Sequence, residues 1–182
     1  MFVSNRNYWA NYKVLARYEK PVDLSFMRIT LIESGKTKDP FIREGVELFR
    51  KRVIRYVPFQ IETLPDLKNT RNMTMKEVQE KEGKLILKRL KPGDYMILLD
   101  ERGKEFHSIS FAEYLNGLEG RVNHLLFVVG GPYGFSEEVY TRADAKLSLS
   151  KLTFSHQLVR VIFMEQLYRA YTILKGEPYH HA

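Results

Sequence analysis

No cysteine occurs among the 182 residues, which removes disulfides, thiolate zinc sites and thiolate nucleophiles from consideration. The sequence also lacks an apolar run approaching the ~18 residues of a membrane span. Its greasiest stretch, Leu158 to Leu174, is broken by Arg160, Glu165, Gln166 and Arg169, so a soluble, cytoplasmic protein with no membrane partner is expected. Histidines are few, and no two of His107, His124, His156, His180 and His181 stand at the i, i+4 spacing of a helical zinc site, so no metal is expected. Acidic residues fall short of basic ones, 22 against 29, leaving a net charge of +7. That excess suits a nucleic-acid partner without requiring one.

Two glycine motifs stop short of familiar nucleotide sites. Ser34-Gly35-Lys36-Thr37 has the ending of a P-loop, but Thr30 stands where the first glycine belongs and the residues between read as a strand. Gly130-Gly131-Pro132-Tyr133-Gly134 lacks the G-x-G-x-x-G spacing, and Pro132 removes an amide donor. No acidic ribose ligand follows a proper fingerprint, which disfavours a Rossmann-like nucleotide enzyme.

The length suits a single domain. Residues 1–26 show neither sustained hydrophobic period nor a signal-peptide core. They are expected to be an extension outside the core, not necessarily native, with Met27 starting a domain that covers 27–182. From there, strand and helix patterns alternate, the signature of an α/β domain with a mostly parallel sheet. Strands are expected at Ile29–Glu33, Phe59–Leu64, Tyr95–Leu99, Leu125–Val129 and Lys146–Leu149. Asp39-Pro40 should open a helix running through Val53, and capping boxes at Thr74-x-x-Glu77 and Ser110-x-x-Glu113 two more. Ser136 with Glu137 and Glu138 should start a short helix, and a long one should run from about Ser155 to Lys175, stopped by Gly176. Apolar residues surround the axis of that last helix. A domain this small should not bury it alone, so a homodimer is expected to cover the remainder.

Within the C-terminal third, the runs Phe127-Val128-Val129-Gly130-Gly131-Pro132-Tyr133-Gly134-Phe135, Leu147 to Arg160, Glu165-Gln166-Leu167-Tyr168-Arg169-Ala170 and Glu177-Pro178-Tyr179-His180-His181 together resemble one family. It is the RlmH family of small SPOUT-class methyltransferases, which methylate N3 of a pseudouridine in 23S rRNA of the large ribosomal subunit. The resemblance runs from Met27 to the C-terminus. It implies a C-terminal trefoil knot, a bent S-adenosyl-L-methionine held by the knot loops, and a homodimer with composite active sites. The family's cofactor contacts fall here on Leu99, Gly130, Leu149, Ser150, Lys151, Leu152, Thr153 and Phe154.

Methyl transfer from a sulfonium requires chiefly that a nitrogen be aligned and relieved of its proton. Carbon-5 methylation of pyrimidines normally uses a cysteine adduct, a route closed to this chain. His180, with Tyr179 orienting it, is the expected proton acceptor. His156 and Arg160 are expected to position a phosphate or developing anion. Glu165 and Arg169 read as an ordinary i, i+4 ion pair, and Arg28, Lys36 and Lys38 are further candidates for RNA backbone contact. Two alternatives stay open: a SPOUT enzyme acting on another RNA such as tRNA, and a non-catalytic ribosome-binding module.

Overall fold

A computed structural model describes residues 27–180; the expected extension at 1–26 and the final two residues, including His181, lie outside the described residues. Five strands, β1 (Arg28–Ser34), β2 (Phe59–Leu64), β3 (Tyr95–Glu105), β4 (His124–Val129) and β5 (Ala145–Ser148), alternate with helices α1 (Pro40–Val53), α2 (Met75–Leu87), α3 (Ser108–Leu118), α4 (Glu137–Arg142) and α5 (Leu158–Leu174). Every strand pair is parallel, in the order β2-β1-β4-β3-β5. A parallel sheet must be covered on both faces. Ile29, Leu31, Ile97, Leu125 and Phe127 pack with side chains of α1, α3 and α5. On the opposite face, Ile32, Met96, Leu98, Leu126 and Val128 meet Ile86 of α2 and Val139 of α4.

Local chemistry explains several boundaries. Asp39 accepts a hydrogen bond from the Phe41 amide at 2.8 Å, with Pro40 as the first helical residue of α1. Thr74 and Glu77 form the reciprocal capping box of α2. Gly176, at φ +67, ends α5 in the left-handed conformation that favours glycine.

Other boundaries depart from expectation for tertiary reasons. Strand β3 does not stop at Leu99. Leu147 of β5 is the register partner of both Leu99 and Lys104, so residues 100–103 bulge out and the strand returns. A Cβ on Gly103 would stand 2.6 Å from the Leu147 backbone. Helix α3 starts at Ser108 after His107, with no side-chain cap, and not at the expected Ser110-x-x-Glu113 box; burial of Phe111, Ala112 and Leu115 fixes its place. Helix α5 starts at Leu158, because Ser155 to Gln157 form a turn in which Ser155 Oγ accepts from the Leu158 amide at 3.2 Å. Strand β5 starts and ends one residue earlier than expected. Ser136 precedes α4 without capping it; its hydroxyl is pressed against Gly83 of α2, where a Cβ would overlap it.

No residue of α5 is exposed even in the single chain. The domain covers much of the helix itself, between α1 and α3, but not all of it: a half-buried face that includes Leu158, Val159, Ile162, Glu165 and Arg169 remains. Among the described residues, no helix is long and apolar enough to cross a membrane.

Candidate active site

The carboxyl ends of β3, β4 and β5 open into a cleft of about 950 Å³, the position at which open α/β sheets receive ligands. Leu99, Val129 and Leu147 form its apolar floor, and loops 130–134 and 149–156 form its walls.

The glycine loop is fastened from α2. Gln79 Nε2 donates to the Tyr133 carbonyl oxygen at 2.5 Å, and one turn along the helix the Glu82 carboxylate accepts from the Gly131 amide. A Cβ on Gly131 would run into that carboxylate. Gly134, at φ +77, closes the turn by donating to the Gly131 carbonyl oxygen at 3.1 Å. Burial raises the Glu82 pKa above the ordinary carboxylate value, against the lowering effect of the Gly131 amide.

Across the cleft stands a polar trio. The Tyr140 hydroxyl donates to Asp100 and accepts from the Arg102 guanidinium, and the Arg102 amide donates to Asp100 at 2.8 Å. Burial pulls the Asp100 pKa upward, but the bonds from Tyr140 and Arg102 outweigh it and leave the carboxylate below its usual range. Burial, together with the bond to Asp100, pushes the Tyr140 phenol up to about 12, so it remains a donor at neutral pH. Thr153 joins this trio's bulge to the second loop by donating to Glu101 at 3.2 Å. Within that loop the Ser150 hydroxyl accepts from the Leu152 amide at 2.9 Å, a serine turn that shapes the backbone.

The structure gathers Leu99, Gly130, Leu149, Ser150, Leu152, Thr153 and Phe154 around the cleft. Lys151, between Ser150 and Leu152, is exposed and does not itself line the cleft. His156 lines the cleft, and burial, followed by the charges of Arg160 and Lys38, lowers its pKa from the ordinary imidazole value.

Arg160 goes elsewhere. It is fully buried, and its guanidinium donates to the carbonyl oxygens of Ser34 and Gly35 at 2.7 and 3.1 Å and to Thr37 Oγ1 at 2.6 Å, with Glu33 at 3.3 Å. A side chain so committed cannot also grip a phosphate. The expected direct contact is corrected to a positional one, and the P-loop-like Ser34 to Thr37 turn is the bed that receives it. Arg28 lies at the amino end of β1, away from the cleft.

Glu165 and Arg169 do form the ion pair, at 2.6 Å. The tail folds back on them. The Tyr179 hydroxyl donates to Glu165 at 3.1 Å, its ring meets Tyr168 edge-on at 4.7 Å, and the Arg169 guanidinium lies 4.9 Å from its centroid. Tyr56 anchors the tail's start by donating to Glu177 at 2.5 Å. Neither Tyr179 nor His180 lines the cleft of its own chain. His180 is half-buried, and its Nδ1 makes no hydrogen bond among the described residues. Sequence reasoning missed Gln79, Glu82, Asp100 and Tyr140: Gln79 meets Tyr133 54 residues on and Asp100 meets Tyr140 40 residues on, so no local motif marks them. Among the described residues, no group of three or more His, Cys, Asp or Glu side chains could hold a metal ion.

Comparison with known proteins fits this geometry. A family model described as "Predicted SPOUT methyltransferase" matches residues 27–180. The "Ribosomal RNA large subunit methyltransferase H" of Parabacteroides distasonis is 54% identical over 156 residues, covering 85% of this chain and 99% of that one. The protein of the same name from Bacteroides thetaiotaomicron is 51% identical over 156 residues, with the same coverage. A solved structure, a probable methylase family protein from Haemophilus influenzae, aligns over 87% of this chain and 72% of that one at 11% identity and a TM-score of 0.49, a distant likeness.

Proposed function

The chain belongs to the SPOUT methyltransferase family, and from that premise we propose that it methylates N3 of a pseudouridine in 23S rRNA of the large ribosomal subunit, with S-adenosyl-L-methionine as methyl donor, as a cytoplasmic homodimer. It is an enzyme that transfers a methyl group to ribosomal RNA, the activity its relatives are named for. The finer reading is carried by one observation: the loops after β3, β4 and β5 converge on a single cleft through Leu99, Gly130 and residues 149–154. We assign the domain to residues 27–182 and leave 1–26 outside it as an extension.

The residues present fit the proposed donor. A cleft of about 950 Å³ lies within the range of small-molecule sites, which combine apolar walls with a few placed polar groups. Leu99, Gly130 and the 149–154 loop would hold the donor, with Leu149, Leu152 and Phe154 supplying apolar cover. When bound, S-adenosyl-L-methionine supplies an electrophilic methyl group and needs no metal. Family membership also implies the trefoil knot. Between β5 and the tie of α5 to Ser34, the 149–157 loop crosses the ends of β3 and β4, and this is the segment that would close it.

The protein's own groups orient the acceptor and manage its proton. His180 would accept the N3 proton once the tail presents its ring, whose Nδ1 is buried and unbonded among the described residues, with Tyr179 directing the tail and His156 orienting the nucleotide as a neutral imidazole. Arg160 holds the His156 turn in place. Because Tyr179 and His180 lie outside their own cleft, they would complete the partner's. The test is to incubate ribosomes and large subunits from a strain lacking this protein with labelled S-adenosyl-L-methionine and map the product by mass. Label on N3 of one pseudouridine is expected, and absence of transfer to any ribosomal particle would overturn the reading.

A further inference from the structure

Lys68 to Lys76, leading into α2, contains Lys68, Arg71 and Lys76 and no acidic residue. All nine residues are exposed except the half-buried Met73. By contrast, Arg50, Arg89, Arg102, Arg142, Arg160 and Arg169 each engage a carboxylate, whereas none of these three cations forms an ion pair among the described residues. The segment is shaped by a short 3-10 turn at Thr70–Asn72 that follows Asn69, at φ 58. It ends at the mouth of the cleft, which Met75, Lys76 and Gln79 line.

Beside it stands Tyr133, 46% exposed, with Met75, 66% exposed, also on the rim. The backbone of Tyr133 is held by Gln79, and the loop behind it by Glu82. An exposed aromatic ring on a fastened loop has already lost much of the freedom that binding would otherwise remove. Single-stranded RNA is recognised by that combination: aromatic faces on which splayed bases stack, next to unpaired cations along the backbone.

We propose that Lys68, Arg71, Lys76 and Tyr133 form a binding surface for the single-stranded RNA flanking the target nucleotide, the cations meeting phosphates and Tyr133 stacking on a neighbouring base. The proposal rests on the ribosomal RNA reading above but is tested by binding, separately from methyl transfer.

Co-sedimentation with large ribosomal subunits from a strain lacking the protein is measured across a salt series for the wild type, Tyr133→Ala, Tyr133→Phe and a triple Lys68→Ala, Arg71→Ala, Lys76→Ala variant. Calorimetry with S-adenosylhomocysteine and molar mass by light scattering accompany it. Tyr133→Ala is expected to weaken subunit binding by about tenfold or more, with Tyr133→Phe close to wild type. The triple variant should bind more weakly and flatten the log–log salt slope by about two units. Molar mass should not change, and because Tyr133 and Lys76 lie on the cleft rim, affinity for S-adenosylhomocysteine should fall far less than subunit binding does. Wild-type binding undiminished in both Tyr133→Ala and the triple variant, or wild-type protein that fails to bind the subunit, would overturn the proposal. A change in molar mass would overturn it in favour of a contact with a second copy of the chain, and a parallel loss of S-adenosylhomocysteine affinity in favour of a wall of the donor site. Methyl transfer in the same samples reports on the enzymatic reading alone: binding without transfer would overturn that reading and leave this surface supported.

Discussion

Arg160 Nη2 donates to the carbonyl oxygen of Ser34 across 2.7 Å, joining residues 126 apart in the chain. This contact fixes where α5 begins and hence where the loop before it, with His156, crosses the sheet. Arg160→Ala would leave Glu33, itself only 5% exposed, without its cation. Breaking a buried ion pair from one side costs about 3–5 kcal/mol, so the urea midpoint should fall steeply. Arg160→Lys keeps the charge but cannot reproduce the fork to Ser34, Gly35 and Thr37, and should fall between. Equal stability of all three proteins would show that the network contributes nothing.

His156 should impose a pH dependence on stability. Burial, then the charges of Arg160 and Lys38, hold its pKa below the ordinary 6.5. As pH falls from that value the unfolded chain takes the proton first. Stability from this group is therefore intact above 6.5 and is lost progressively as pH drops to the folded pKa, with no further loss below it. His156→Gln cannot titrate, so its urea midpoint should decline less between about pH 7 and 5 than that of the wild type. Parallel declines would rule out the shifted imidazole.

What could be read in advance follows from how local each determinant is. Asp39-Pro40 and Thr74-x-x-Glu77 work through hydrogen bonds within three residues, and both helix starts were legible. The short apolar runs of Tyr95 to Leu99 in β3 and of β4 were equally plain, because a strand buried on both faces has little room for polar residues. The return of β3 after Leu99 was not, since it depends on Gly103 meeting the Leu147 backbone. Nor was the role of Arg160, which sequence alone places at the start of an apolar helix and offers to any anion. The cleft-lining loops were reached through family resemblance, as their physical signals, a glycine turn and a serine turn, are each common.

Gly103 should be intolerant of even one methyl group. A Cβ there meets backbone on both sides of Leu147, at 2.6 Å, and backbone cannot swing aside as a side-chain tip can. Gly103→Ala should cost about 1–3 kcal/mol by overpacking and push the Asp100 bulge out of the cleft. S-adenosylhomocysteine affinity, measured by calorimetry, should drop in parallel, whereas Lys104→Ala next door should leave both unchanged. A Gly103→Ala protein with native stability would mean that the two strands are less closely held.

Gly131 and Glu82 should behave as one unit. Gly131→Ala drives a methyl group into the Glu82 carboxylate, and Glu82→Ala removes the acceptor of the Gly131 amide. Each breaks the same fastening of the glycine loop, so each should weaken S-adenosylhomocysteine binding, by about three- to tenfold if one charge-assisted hydrogen bond, partly screened by solvent, is at stake. In a double-mutant cycle the combined variant should be no worse than the poorer single one. Additive losses would separate the two residues.

The division of the proposed site between chains yields the sharpest test. His156 lines the cleft, while Tyr179 and His180 are folded against Glu165, Tyr168 and Arg169 outside it. If the tail completes the partner's cleft, His180→Ala should lower the single-turnover methylation rate by about 10²–10⁴ with donor binding intact. Leu152→Asp, at an exposed loop position, should abolish donor binding with the tail intact. Mixed and allowed to exchange subunits, these two inactive proteins would form heterodimers carrying one clean cleft paired with one clean tail. Random exchange makes half the dimers mixed, each with one working site of two, so about a quarter of wild-type activity should return. A site built within one chain would stay inactive in the mixture, because every cleft would then carry its own defect. Light scattering on the same mixture establishes that dimers are present, and a monomeric protein would exclude the shared site outright.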